Sequence, residues 1–160
     1  MPCRVHCLTA GFGDSIALGL ADGTIELRSA QTLALRSRRV AHRCAVSALC
    51  CGPEQVVSGD EEGFLVSWAA DEATPGEDWR KQWQQRHQGR VVAIETGGAQ
   101  CVLSAAMDGN VTARHGDTGE LMFNIPNHKI WLGSLSLSDD RDLLVTDGRD
   151  NAVWIYDFAA

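Results

Sequence analysis

The chain repeats itself with a period of just over forty residues, and no other feature narrows its choice of fold as far. Such a period means one supersecondary unit copied several times, each copy burying the apolar face of its neighbour. Three histidines set the frame: His42, His87 and His128 stand 45 and 41 residues apart. Each is followed four positions later by an aliphatic residue that opens a strand-like run, Val46, Val91 and Leu132. The N-terminal stretch joins this register at Val5, with Met1 where a histidine would stand. All four units open aliphatic-x-x-aliphatic, at Val5/Leu8, Val46/Leu49, Val91/Ile94 and Leu132/Leu135. A turn rich in Gly, Pro, Glu or Asp comes next, then a second strand, a tight turn and a third strand. Short runs, period-two patches and turn residues about every ten positions are β signals.

The second turn is the sharpest local signal. Asp22-Gly23, Glu62-Gly63, Asp108-Gly109 and Asp150-Asn151 recur at matching places, and such pairs suit a two-residue hairpin with positive φ at its central positions. After the third strand the units diverge. The second carries the insertion DEATPGEDWRKQW, in which Pro75 and Gly76 mark an exposed loop, and its length accounts for the spacing of 45 against 41.

Composition removes several classes of function. The 160 residues carry a formal net charge of −7, with 44% hydrophobic and 22% charged side chains, which is ordinary globular usage for one domain or a piece of a larger one. A nucleic-acid footprint or an anionic membrane surface calls for a positive field that this chain lacks. The basic exception is Arg36, Arg38, Arg39 and Arg43, read as a solvated edge strand in preference to a docking site for an acidic partner. No stretch reaches the roughly 18 apolar residues of a membrane span, and the N-terminus has no leader-like apolar core. With no sign of secretion, the six cysteines are expected as reduced thiols in the cytoplasm, the nucleus being the alternative.

A repeat of this length, with a histidine before the first strand and an acid in the turn before the third, resembles the WD-repeat β-propeller family along essentially the whole chain. The resemblance implies an all-β fold, a single segment over residues 1–160 with four-stranded blades at about 5–41, 46–86, 91–127 and 132–160. It also implies a structural network in each blade linking the histidine to a strand hydroxyl, a turn acid and an aromatic. The matching positions are His42, Ser58, Glu62 and Trp68 in the second unit; His87, Ser104 and Asp108 in the third, with Arg114 at the aromatic place; and His128, Thr146, Asp150 and Tyr156 in the fourth. The first unit keeps only Asp22, with Leu18 and Arg28 at the other places. A buried imidazole needs partners for both ring nitrogens, and an acid with a hydroxyl supplies them. These histidines are therefore expected to be scaffold.

By the same resemblance, residues flanking the opening aliphatic position and the one before the turn acid line a partner-binding face: Arg4, His6, Ala45, Ser47, Arg90, Val92, Trp131 and Gly133, joined by Ala21, Glu61, Met107 and Arg149. Arg, Trp and Met are side chains that anchor protein interfaces. Trp79 and Trp83, beside Arg80, Lys81 and Arg86, offer either an exposed aromatic-basic contact or, for Trp83, packing within a fourth strand.

Catalytic signals are weak by comparison. There is no Gly-x-Ser-x-Gly elbow and no His-Glu-x-x-His helix. Cys3, His6 and Cys7, or His42 with Cys44, are the thinnest of zinc sets, and small thiols in strands are better explained as apolar packing. Neither metal nor cofactor is expected. The expected function is a non-enzymatic protein-binding scaffold. Its rivals are a quinoprotein-like propeller fragment with an enzymatic or cofactor-binding role, which the stretch DGNVTARHGDTGELMFNI resembles, and a purely structural segment of a larger assembly. Four blades leave apolar end faces in want of cover, so the chain is expected either to pair with a second copy or to belong to a larger propeller.

Overall fold

The computed structural model describes residues 3–52, 54–69, 79–97, 101–126, 132–138, 143–148 and 152–157. These residues form β-strands throughout, arranged in four antiparallel sheets whose strands follow one another in sequence order. The first sheet comprises β1 (Val5–Ala10), β2 (Ser15–Leu20), β3 (Thr24–Ser29) and β4 (Leu35–Val40). The second holds β5 (Val46–Cys51), β6 (Gln55–Asp60), β7 (Phe64–Ala69) and β8 (Arg80–Arg86). The third holds β9 (Val91–Thr96), β10 (Cys101–Ala106), β11 (Asn110–His115) and β12 (Leu121–Pro126). The fourth has, among the described residues, β13 (Leu132–Leu137), β14 (Leu143–Gly148) and β15 (Val153–Asp157). The opening strands lie side by side, β1 against β5, β5 against β9 and β9 against β13. The sheets are thus blades set face to face around an inner row of first strands.

Alternation within each strand sends one set of side chains forward to the next blade and the other back to the previous one. Ala17, Ile25 and Leu27 of the first blade meet Leu49, Val56, Val66 and Trp68 of the second. Ala48, Cys50, Val57, Leu65 and Trp83 of the second meet Val91, Ile94 and Val102 of the third. Leu103, Ala105, Val111 and Ala113 of the third meet Leu135 and Leu144 of the fourth, with Tyr156 packed alongside. Each fully buried aliphatic side chain contributes about 1.5–3 kcal/mol, so these joints hold the molecule together. The blades approach closely near the inner strands: a Cβ on Gly59 would stand 2.5 Å from the Val91 side chain.

The tight turns differ from the two-residue hairpins expected. Three residues separate β2 from β3 (Ala21, Asp22, Gly23), β6 from β7 (Glu61, Glu62, Gly63) and β10 from β11 (Met107, Asp108, Gly109). The amides of Gly23, Gly63 and Gly109 donate to the carbonyls of Leu20, Asp60 and Ala106, three residues back. Only the glycine of each loop has positive φ, at 83°, 88° and 82°, the pattern of an ordinary turn followed by a left-handed residue. Asp150-Asn151 lies outside the described residues, as do Pro75 and Gly76.

Strand β4 is the outer edge of its sheet, and its arginines are engaged with the protein itself. Arg36 pairs with Asp14 at 3.1 Å, Arg38 with Asp22 at 3.5 Å and Glu26 at 3.8 Å, and Arg39 lies 4.8 Å over the Trp68 ring. Arg43 is exposed. Trp79 and Trp83 are both buried, which removes the exposed aromatic-basic contact and leaves the alternative, Trp83 packing within the fourth strand. Trp79 joins the first joint, and Trp83 on β8 donates its indole N–H to the Gly116 carbonyl at 2.6 Å.

Candidate interaction face and the buried networks beneath it

His42 precedes β5 and is buried against β6 of its own blade. Its Nδ1 lies 2.9 Å from Asp60 Oδ2 and its Nε2 2.8 Å from Ser58 Oγ. Trp68 donates its indole N–H to the same Ser58 oxygen at 3.0 Å. The donors balance when Nδ1–H faces the carboxylate, the Ser58 hydroxyl donates to Nε2, and the serine oxygen receives the indole. The acid is Asp60, in place of the expected Glu62. Asp60 ends β6 facing the histidine, and its other oxygen accepts the amides of Glu62 and Phe64, both at 2.9 Å. Glu62 itself is exposed in the loop.

His87 repeats the arrangement with a change of parts. Its Nδ1 lies 3.3 Å from Asp108 Oδ2 and its Nε2 2.8 Å from Ser104 Oγ. Arg114 stands at the aromatic place but sends a guanidinium N–H to the Gly119 carbonyl, 3.1 Å away. The group bonded to the serine is Thr112, on the same strand two residues earlier, with its Oγ1 2.9 Å from Ser104 Oγ. Burial drives both histidines below their ordinary value, although Asp60 and Asp108 pull the other way. At neutral pH each is a neutral imidazole bonded to a carboxylate, rather than half of an ion pair. Burial pushes Asp108 up, but the amides of Gln88 and Asn110 and the nearby His87 outweigh it and hold the carboxyl low.

The outer blades depart further. In the first, Glu26 is 7% exposed and pairs with Arg28 at 2.7 Å, so an ion pair stands where the second blade has Val66 and Trp68. Leu18 is half-buried, and Asp22 accepts the Thr24 amide at 3.0 Å. In the fourth, Thr146 is 1% exposed and Tyr156 is half-buried; His128 and Asp150 lie outside the described residues.

The cysteines are free thiols. Burial pushes Cys7 up to about 11 and Cys51 to about 12, so both are protonated thiols at neutral pH. Among the described residues, no group of three or more His, Cys, Asp or Glu side chains is placed to hold a metal.

The residues expected on the partner face come together in pairs at one rim of the blades. The amides of Ala21, Glu61 and Met107 donate to the carbonyls of Arg4, Ala45 and Arg90, at 2.9, 3.2 and 2.8 Å. Each pair ties the loop after the second strand to the residue that opens the first. Neighbouring blades meet there too, with His6 Nδ1 4.0 Å from Glu61 Oε1. Arg4, His6, Glu61, Arg90 and Gly133 are exposed, and Ala21, Val92 and Met107 half-exposed. Ala45 and Ser47 are buried and are removed from the face. The Ser47 hydroxyl donates across the joint to the Val91 carbonyl at 2.6 Å. Gly133 sits against Asp147, which accepts its amide at 3.0 Å. Trp131 and Arg149 lie outside the described residues.

Comparison with known proteins agrees with this architecture. No family model matches the sequence. Over 74 residues the chain is 30% identical to eukaryotic translation initiation factor 3 subunit I of Vanderwaltozyma polyspora, a stretch covering 46% of this chain and 21% of that protein's length. The computationally designed Ika4 protein superposes with a TM-score of 0.82 and 23% identity, over 99% of this chain and 94% of Ika4. The designed Ika8 protein superposes at 0.75, over 91% of this chain and 43% of Ika8. The chain has a β-propeller fold whose antiparallel sheets are like WD blades. The histidine networks lie beneath the rim, and their histidines are consumed in holding loop to strand.

Proposed function

We propose that this WD-type segment is a non-enzymatic scaffold that binds a protein or peptide at the rim formed by Arg4, Ala21, Glu61, Arg90 and Met107. The observation carrying this reading is the division of labour within each central blade. The His42 and His87 networks are closed among themselves, whereas the rim above them exposes two arginines, a glutamate and part of a methionine on a backbone-tied base. Arg and Met beside a mixed-charge border are the composition of a protein-binding surface. The similarity to an initiation-factor subunit supports a place in a cytoplasmic protein complex.

The test is a double charge reversal, Arg4→Glu with Arg90→Glu, in the tagged chain. Both side chains are exposed, so the fold should be unchanged by circular dichroism. Crosslinking in cell extract followed by mass spectrometry should show the crosslinks of the unaltered chain to any partner lost from this rim in the variant. Identical crosslinks from both proteins would remove the rim from consideration.

A further inference from the structure

We infer that the free faces of the first and last blades are the two halves of one further blade joint, and that a second copy of this chain completes it head to tail. This inference is independent of the rim and its partner.

Strand register makes the halves visible. Val145 pairs with Ile155 and Thr146 with Trp154, which places Val145, Val153 and Ile155 at the positions of Ala17, Ile25 and Leu27 in the first blade. The counterparts are Val57, Leu65 and Ser67 in the second blade and Leu103, Val111 and Ala113 in the third. All nine counterparts are at most 2% exposed because the following blade covers them. Val153 and Ile155 are 66% and 65% exposed. The first blade shows the converse. Leu8 occupies the place of Leu49, Ile94 and Leu135, which are 8%, 6% and 6% exposed against the preceding blade, yet Leu8 is 69% exposed. Val40 and Leu35, on the same backward face, are also exposed.

Charge favours joining these two faces to each other over joining either to itself. The first-blade face carries Arg28 and Arg38, paired with Glu26 and, for Arg38, also with Asp22. The last-blade face carries Asp147 and Asp157 on the side of Val145 and Ile155. By the register of the other joints, Val5 of the second copy comes against Asp147, the place of Gly19, Gly59 and Ala105; a Cβ at Gly19 or Gly59 would stand 2.8 or 2.5 Å from Val46 or Val91, so the new joint must sit wider there than the first two. The Asp147 carboxylate is folded back onto the amides of Gly133 and Ser134. A contact between unlike faces closes only when the rotation per copy divides the circle. The same arc superposes on 43% of Ika8, a chain with room for a second arc of this size, so two copies are the closure the geometry accommodates.

The experiment uses the full chain and light scattering coupled to size exclusion at micromolar concentration. The unaltered protein should elute with twice the chain mass of 17.3 kDa. Leu8→Asp and Ile155→Lys both alter exposed side chains outside the core, and each alone should run as a monomer with an unchanged circular dichroism spectrum. An equimolar mixture should recover the dimer, since one joint is then unaltered and the other sets aspartate against lysine. A monomeric unaltered chain, a dimer surviving in either variant, or a mixture that stays monomeric would overturn the inference. The first of these would leave the faces to other blades of a longer chain.

Discussion

At the scale of single residues, Asp60 is the position where sequence and structure part. The pattern of an acid before a turn glycine points to Glu62, because Asp22 and Asp108 stand in that place. The deciding quantity is reach: Asp60 ends β6 on the side of the blade facing His42, and from there one carboxylate serves the imidazole and two backbone amides. Removing it strands the buried His42 nitrogen and two partly buried backbone amides. Asp60→Ala should cost about 3 kcal/mol, while Glu62→Ala, in an exposed loop, should stay within about 0.5 kcal/mol. Urea denaturation of the two variants reads the difference, and equal losses would return Glu62 to the network. Thr112 escaped the sequence reading for a related reason, since a hydroxyl two positions before the aromatic place carries no signature until the sheet sets it opposite Ser104.

The same histidines give a dependence on pH. Burial holds His42 and His87 below their ordinary 6.5 in the folded chain, so below that value the unfolded chain binds protons that the folded chain does not. Stability is therefore fully present above pH 6.5 and falls as pH drops from there toward the lowered folded values, by at most about 1.4 kcal/mol per pH unit for each histidine. Urea midpoints should be level between pH 8 and 7 and decline from 6.5 to 5, in roughly the range where histidine alone among ordinary side chains titrates. A level profile down to pH 5 would show that the two imidazoles accept protons without loss of the fold.

Elements were the most legible level. Strand positions, their sequential pairing and the all-β architecture follow from repeat length, alternation and turn residues, because each acts over a few neighbours. What local sequence could not supply is which solution a turn adopts. Asp-Gly suits a two-residue hairpin, but the glycine alone takes positive φ here because the peptide of the next blade's histidine lies against it. The Gly23 carbonyl accepts the amides of Ala41 and His42, and Gly63 that of His87. Trp83 shows the same limit: the sequence offers its packing within a fourth strand, but not that β8 turns its indole onto a carbonyl of the third blade. The edge arginines of β4 likewise read as solvated from sequence and are recruited by Asp14, Asp22, Glu26 and the Trp68 ring.

For the whole molecule, the arrangement is nearly one-dimensional, each blade touching only its neighbours, so stability should grade along the arc. The middle blades are covered on both faces, the first and last on one. In the single chain, isolated by the Leu8→Asp substitution, amide hydrogen exchange should be slowest in β6 and β10 and fastest in β1 and β15. Joining two copies should slow β1 and β15 selectively. Uniform exchange across all four blades would mean that the sheets open as one unit and that the joints are not separable.

The rim bonds bear on how such a surface changes over time. Backbone amides and carbonyls, not side chains, fasten the loops to the strand openings at Arg4, Ala45 and Arg90. Three dissimilar residues already occupy that one structural place, as do Ala21, Glu61 and Met107 across from them. The outline of the rim is therefore indifferent to what it displays, and selection can rewrite its chemistry one substitution at a time without reopening the question of folding.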